Sequence, residues 1–199
     1  MRTRSSAAAL ALAVAFAALL GPVAARAHDA SSPLAVAIDL ERTRVGAYLR
    51  YTVERGEDAR ALREQFDRDA DGSLDDEERA RLRAWLVERA RAAFEVRVAG
   101  AALVFAQKSV ADELDGGADA RLAVALRLVA PVKWPAGSAT LSVAVELPDA
   151  RAITPVAVRV EKTASLGLPE GFAGGVASRR TPLEVQVTSA GVSGRRRQR

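Results

Sequence analysis

Hydrophobic and polar residues alternate along several stretches of the chain, as they do in strands that are buried on one face. Alternation over residues 36–40 is followed by a polar turn at 42–44 and by a second alternation over 45–53, which together predict a β-hairpin. Further strands are predicted at residues 94–98, 103–105, 120–129, 138–147 and 155–161. Because six or seven short strands are separated by turns every 8–12 residues, the pattern favours an antiparallel, immunoglobulin-like β-sandwich.

Between the second and third predicted strands the hydrophobic period lengthens to that of a helix. Residues 57–66 predict a short helix, and residues 76–94 predict a longer one in which apolar side chains recur every fourth residue from Leu82 to Phe94. The sequence therefore predicts an α+β fold, a β-sandwich with one helix-loop-helix inserted at residues 57–94.

The first 27 residues have the pattern of a cleaved secretory signal. Arg2 and Arg4 precede an apolar run at residues 7–20, and Ala25-Arg26-Ala27 forms a small-x-small cleavage site. The apolar run is shorter than the roughly 20 residues that a membrane-spanning helix needs. We therefore expect a periplasmic or secreted protein that does not span a membrane after cleavage and that begins at His28.

The remaining chain divides by composition into a β-domain over residues 28–163 and a tail over 164–199. The tail is rich in Gly, Ser and Arg and is predicted to be mostly disordered, although alternation over 183–187 leaves one more strand open. Acidic residues slightly outnumber basic ones between residues 28 and 168, so the net charge of +4 reflects the signal and the tail. The β-domain therefore lacks the basic excess expected of a nucleic-acid-binding domain.

Two residue types that support much enzyme chemistry are scarce. The chain has no cysteine, and its one histidine is His28. This composition excludes disulfides, thiolate zinc sites, thiol catalysis and a Ser-His-Asp triad. The sequence therefore argues against an enzyme.

Residues 67–78 read DRDADGSLDDEE and match the calcium-loop pattern D-x-[DN]-x-[DN]-G-x5-E at every specified position. Ca²⁺ takes six to eight oxygen ligands, and Gly72 permits the tight turn that a single coiled segment needs to supply them. The loop holds seven carboxylates against one arginine. We therefore expect the carboxylates of the loop to repel one another in the absence of a cation, and a bound cation to order the loop.

The loop and the helices predicted around it resemble the EF-hand family. The resemblance implies a Ca²⁺ site in which three aspartates each give one carboxylate oxygen, a serine gives its backbone carbonyl, a fourth aspartate acts through water and a glutamate gives both oxygens. In that order, the implied ligands are Asp67, Asp69, Asp71, Ser73, Asp75 and Glu78. The alternative is a solvated acidic turn that binds no ion.

Only one such loop is present, whereas hands of this family usually come in pairs that couple at the position of Leu74. A lone hand must cover its apolar face with the β-domain or with another molecule. Extracytoplasmic calcium modules bind at about 10⁻⁴–10⁻³ M, which favours a structural calcium that supports a partner-binding β-domain over a regulatory sensor. The expected partners are the calcium ion and a periplasmic or membrane protein.

Weaker signals give a second hypothesis. The signal ending before His28, the hairpin, the inserted loop and the later strands are similar to the extracytoplasmic domain of nickel/cobalt-type permeases. This resemblance implies a periplasmic accessory module of a transition-metal transporter, with calcium incidental. As the new N-terminus, His28 is a candidate nickel or copper ligand through its amine and imidazole, since these ions favour nitrogen ligands. A second acidic cluster is interpreted as a solvated loop; it comprises Asp112, Glu113, Asp115 and Asp119.

Overall fold

A computed structural model describes residues 33–147, 156–163 and 166–189. The predicted signal, its cleavage site and His28 lie outside these residues. The described part of the chain contains two helices, α1 (Glu57–Phe66) and α2 (Asp76–Ala92). No helix in the described ranges is long and apolar enough to cross a membrane.

The strands of the described residues form two mostly antiparallel sheets. In chain order they are β1 (Leu34–Leu40), β2 (Arg44–Val53), β3 (Phe94–Val98), β4 (Ala101–Ala102), β5 (Ala106–Glu113), β6 (Leu122–Pro131), β7 (Gly137–Val145), β8 (Val156–Lys162), β9 (Leu166–Gly167), β10 (Gly174–Ala177) and β11 (Leu183–Ser189). The first sheet has the order β10-β8-β1-β2-β6-β5, and the second has the order β4-β3-β7-β11-β9. Every pair is antiparallel except β1 with β8.

The predicted hairpin is confirmed in its register. Leu34 of β1 lies opposite Tyr51 of β2, and Leu40 lies opposite Val45. Every second residue of β1 is buried, as a strand with one face on the core requires. The alternation of side chains therefore decides which face of this hairpin enters the core.

Both sheets and both helices contribute to a single hydrophobic core. Leu49 and Leu126 enter it from the first sheet, Leu141 from the second, and Leu82 and Leu86 from α2. The arrangement is compatible with an α+β sandwich. It brings the helix-loop-helix against the β-domain, so the loop between the helices is attached to a packed scaffold.

Three sequence predictions need correction. Residues 166–189 contain the strands β9, β10 and β11 where mostly disorder is predicted, and the strand left open at 183–187 is confirmed as β11, which lies inside the second sheet. The strand predicted at 103–105 lies instead at 106–113 as β5, and the acidic residues Asp112 and Glu113 belong to this strand rather than to a loop. The second helix ends at Ala92, and Phe94 begins β3.

Candidate metal centre

The predicted calcium loop connects the end of α1 to the start of α2. Two of its residues have left-handed backbone conformations, Gly72 with φ +84° and Ala70 with φ +56°. Glycine adopts this region without steric cost, whereas alanine does so at a cost. These two residues turn the chain so that alternate side chains point to one side of the loop.

Three of the predicted ligands come together. Carboxylate oxygens of Asp67, Asp69 and Asp71 all lie within 4.8 Å of one another. Asp69 and Asp71 are exposed, and Asp67 is half-buried. The group offers oxygen ligands of the kind that hard divalent cations prefer.

The loop's own hydrogen bonds orient these carboxylates. The backbone N–H of Gly72 donates to Asp67 Oδ2 at 2.9 Å, and that of Asp71 donates to Asp69 Oδ1 at 3.2 Å. Ser73 donates to Asp71 Oδ1 twice, from its backbone N–H at 2.8 Å and from its hydroxyl at 2.7 Å. The backbone therefore holds the aspartates close together although their charges repel.

The repulsion has a measurable consequence for Asp69. The hydrogen bond from the Asp71 backbone N–H lowers the pKa of Asp69, but lost solvation and the neighbouring carboxylates of Asp71, Asp67 and Glu78 outweigh it and raise that pKa. The two hydrogen bonds from Ser73 lower the pKa of Asp71. The pKa values of these two carboxylates therefore shift in opposite directions, because Asp71 accepts two hydrogen bonds from Ser73 whereas lost solvation and neighbouring carboxylates prevail at Asp69.

Asp75 and Glu78 lie at the other end of the loop, outside the 4.8 Å group. Glu78 is only 3% exposed. Its carboxylate accepts hydrogen bonds from the backbone N–H of Arg68 at 2.5 Å and of Asp75 at 3.0 Å. The buried carboxylate of Glu78 therefore joins the first turn of α2 to the beginning of the loop.

One atom shows that the donor set fits a cation. Asp67 Oδ1 is buried and accepts no hydrogen bond from any residue that the structure describes. A buried carboxylate oxygen without a donor is costly. A divalent cation among the three aspartates would satisfy it, so the residues present fit the metal that the loop pattern implies.

The β-domain covers the apolar side of the helix pair. Leu82, Leu86 and Ala90 of α2 are fully buried in the common core, and Leu74 of the loop packs against it. Phe66, which precedes the loop, contacts Trp85 edge-to-face with ring centroids 6.0 Å apart. The helix-loop-helix therefore buries its apolar face within its own chain.

The second acidic cluster is engaged in ion pairs, a feature that the sequence analysis missed. Each of its four carboxylates lies within 4.0 Å of an arginine that is distant in sequence. The pairs are Arg83 with Asp112, Arg50 with Glu113, Arg79 with Asp115 and Arg60 with Asp119. The eight arginines of residues 57–91 were the available signal for three of these pairs, but sequence spacing does not reveal such long-range contacts.

Comparison with known proteins adds no assignment. No protein-family model matches the chain, and no curated protein matches it.

Proposed function

We propose that this protein is an exported calcium-binding protein with one EF-hand-like site at residues 67–78. The observation that carries the proposal is the group formed by Asp67, Asp69 and Asp71, one of whose buried oxygens has no donor among the described residues. Ser73 and Asp75 would complete the site from the loop, and Glu78 from α2. In this proposal the protein binds an ion and catalyses no reaction.

Charge is the physical reason for binding. The loop carries seven carboxylates and one arginine, so a bound divalent cation relieves repulsion between its ligands. Glu78 has a side chain long enough to offer both oxygens, which favours Ca²⁺ with its larger coordination number over octahedral Mg²⁺. In the structure both Glu78 oxygens accept backbone hydrogen bonds within the loop, and one or both would be exchanged for the ion.

We assign calcium a structural role. The helices on both sides of the loop are complete, and α2 is anchored in the core by Leu82 and Leu86. An ion that binds a site of this kind adds stability without building new helices. At about 1 mM calcium and a dissociation constant of about 0.1 mM, the added stability is roughly 1.4 kcal/mol.

The remaining parts of the proposal rest on the sequence. Export rests on the signal pattern of residues 1–27. A protein partner for the β-domain stays an expectation from the sequence, because the helix pair buries its apolar face within its own chain and needs no partner to cover it. The immunoglobulin-like description of the sandwich is supported by two packed, mostly antiparallel sheets. The transporter-accessory alternative depends on His28, which lies outside the described residues.

Calorimetric titration of the chelator-stripped protein with Ca²⁺ tests the proposal, with Mg²⁺ as the control ion. We expect one site near 0.1 mM for Ca²⁺ and much weaker heat for Mg²⁺. Calcium should raise the melting temperature by roughly 3–6 °C with little change in helix content.

Two other outcomes are informative. A tighter site together with a large gain of helix content on calcium binding would show that calcium acts as a switch and not as a structural ion. No heat and no change in melting temperature would overturn the calcium assignment.

A further inference from the structure

Arginines from both helices hold residues 114–120, a segment that lies between β5 and β6. From α1, Arg60 donates two hydrogen bonds to the carboxylate of Asp119, at 2.7 and 2.8 Å. From α2, Arg79 pairs with Asp115 at 3.2 Å. The segment therefore bridges the two helices that flank the calcium loop.

Arg63 of α1 makes the deepest of these contacts. Its guanidinium donates to the backbone carbonyls of Ala120 at 2.6 Å, Ala118 at 3.2 Å and Leu114 at 3.2 Å. Arg63 is only 8% exposed, and burial lowers the pKa of its guanidinium. A buried cation needs its N–H groups satisfied, so displacement of the segment would leave Arg63 without these acceptors.

Arg79 contacts the segment and the calcium loop at the same time. Its Nη2 donates to the backbone carbonyl of Leu74 at 2.9 Å, and its Nη1 pairs with Asp115. The guanidinium is planar and rigid, so the two contacts require one relative position of loop and segment. A shift of the loop against α2 breaks one of them.

We propose that calcium occupancy of the 67–78 loop controls the order of segment 114–120 through an arginine clamp. The clamp consists of Arg60, Arg63 and Arg79. The inference rests on the proposed calcium site. Asp67 directly follows α1 and Glu78 lies in the first turn of α2, so one ion bound by both sets the position of one helix against the other. In that position arginines of both helices reach the segment together.

Loss of the ion restores repulsion among the loop carboxylates. The junction between α1 and α2 then loosens, and the α2 contact through Asp115 is the weakest link because that side chain is 89% exposed. The segment contains two adjacent exposed glycines, Gly116 and Gly117, which offer little resistance to disorder. Calcium thus rigidifies a surface segment that contributes none of the proposed ligands.

Hydrogen exchange of the full chain tests this coupling, read from peptides that cover 114–120 with about 1 mM Ca²⁺ and with a chelator. If the segment opens only when the loop releases its ion, calcium slows exchange by about tenfold for a dissociation constant near 0.1 mM. The Asp115→Ala variant should reduce this protection to about twofold or less. Because the coupling between two sites is reciprocal, the calcium affinity of the Asp115→Ala variant should also fall, by the same factor by which the clamp strengthens protection of the segment.

Asp112→Ala is the matched control. It removes a carboxylate that pairs at 2.6 Å with Arg83, which lies on α2 as Arg79 does. Asp112 itself lies on β5 and not in segment 114–120. In the Asp112→Ala variant, calcium should protect segment 114–120 from exchange as strongly as in the wild type. If calcium binds the wild type by calorimetry but leaves exchange of 114–120 unchanged, the coupling is wrong and the calcium site stands. Equal loss of protection in both variants also overturns the coupling. If no calcium binds, both proposals fall.

Discussion

Asp75 and Glu78 cap the same helix end reciprocally. The Asp75 carboxylate accepts a hydrogen bond from the backbone N–H of Glu78 at 2.7 Å, and the Glu78 carboxylate accepts one from the backbone N–H of Asp75 at 3.0 Å. This capping box begins α2 with two residues that the loop pattern also assigns to calcium. The start of the helix and the end of the proposed ion site are therefore one structure.

Replacement of the buried glutamate should remove calcium binding while a neighbour's replacement does not. Glu78→Gln takes a charge and a bidentate ligand from the site, and we expect the dissociation constant to rise at least about tenfold. Glu77→Gln is the matched control, because Glu77 is largely exposed and pairs with Arg81 instead. Calorimetry measures both; similar affinities for the two variants would contradict the ligand assignment.

Replacement of two exposed alanines by glycine should have different effects on the free energy of unfolding. Ala70 has φ +56°, a conformation that costs an L-residue roughly 1–2 kcal/mol, so Ala70→Gly should be neutral or stabilising by up to about 1 kcal/mol. Ala80 lies in α2, where Ala80→Gly should destabilise by about 1 kcal/mol. Urea unfolding in calcium-free buffer measures both. A loss from Ala70→Gly as large as that from Ala80→Gly would show that Ala70 is not left-handed in solution.

The Glu113 carboxylate should make stability depend on pH. Burial would raise the pKa of Glu113, but the guanidinium groups of Arg50 and Arg121, which donate to it at 2.7 and 2.6 Å, outweigh burial and lower that pKa. Because the pKa of Glu113 is lower in the folded state, its ionised carboxylate contributes fully to stability above the ordinary glutamate pKa of 4.5. This contribution to stability is lost as the pH falls through the pKa of the folded state.

Glu113→Gln should therefore cost about 0.5 kcal/mol near neutral pH, a small amount because the side chain is 49% exposed and screened by solvent. The difference from wild type should shrink as the pH falls below 4.5. Glu64→Gln removes a carboxylate without an ion pair among the described residues, so at neutral pH it should cost less than Glu113→Gln. Urea unfolding across this pH range measures the effect; a constant difference would contradict it.

The last described strand should be essential to the fold. Val187 of β11 is 1% exposed and lies opposite Ala139 of β7, so Val187→Ala should cost about 2 kcal/mol through a cavity in the core. Glu184→Ala, on the exposed face of the same strand, should cost less than about 0.5 kcal/mol. Thermal melts compare the two; equal melting temperatures would mean that β11 is not part of the packed sheet.

Local signals explain which predictions succeeded. The helix predicted at residues 57–66 has the bounds of α1, and the alternation over 36–40 and 45–53 became the β1–β2 hairpin. These signals depend on side-chain period and on turns between neighbouring segments. Both are set by backbone geometry within a few residues.

The elements that the sequence leaves open or misplaces depend on distant partners. β11 carries a short alternation in a stretch rich in glycine, serine and arginine, and it becomes a strand because Leu183 lies opposite Val143, far earlier in the chain. β5 is an edge strand paired only with β6 within its sheet, and most of its residues are exposed, so its alternation is weak. For the first of these, composition predicts disorder although the alternation over 183–187 leaves a strand open; for part of the second, composition predicts a loop.

The sequence by itself determined the proposed ligand set, because the loop's donors lie within twelve consecutive residues whose spacing is local. It also determined both helices and the hairpin. Only the tertiary structure decided that β1 pairs in parallel with β8 and that Arg63 is buried against segment 114–120. Long-range strand pairing and burial of a charge depend on which surfaces complement each other after the chain collapses, and no local period encodes that choice.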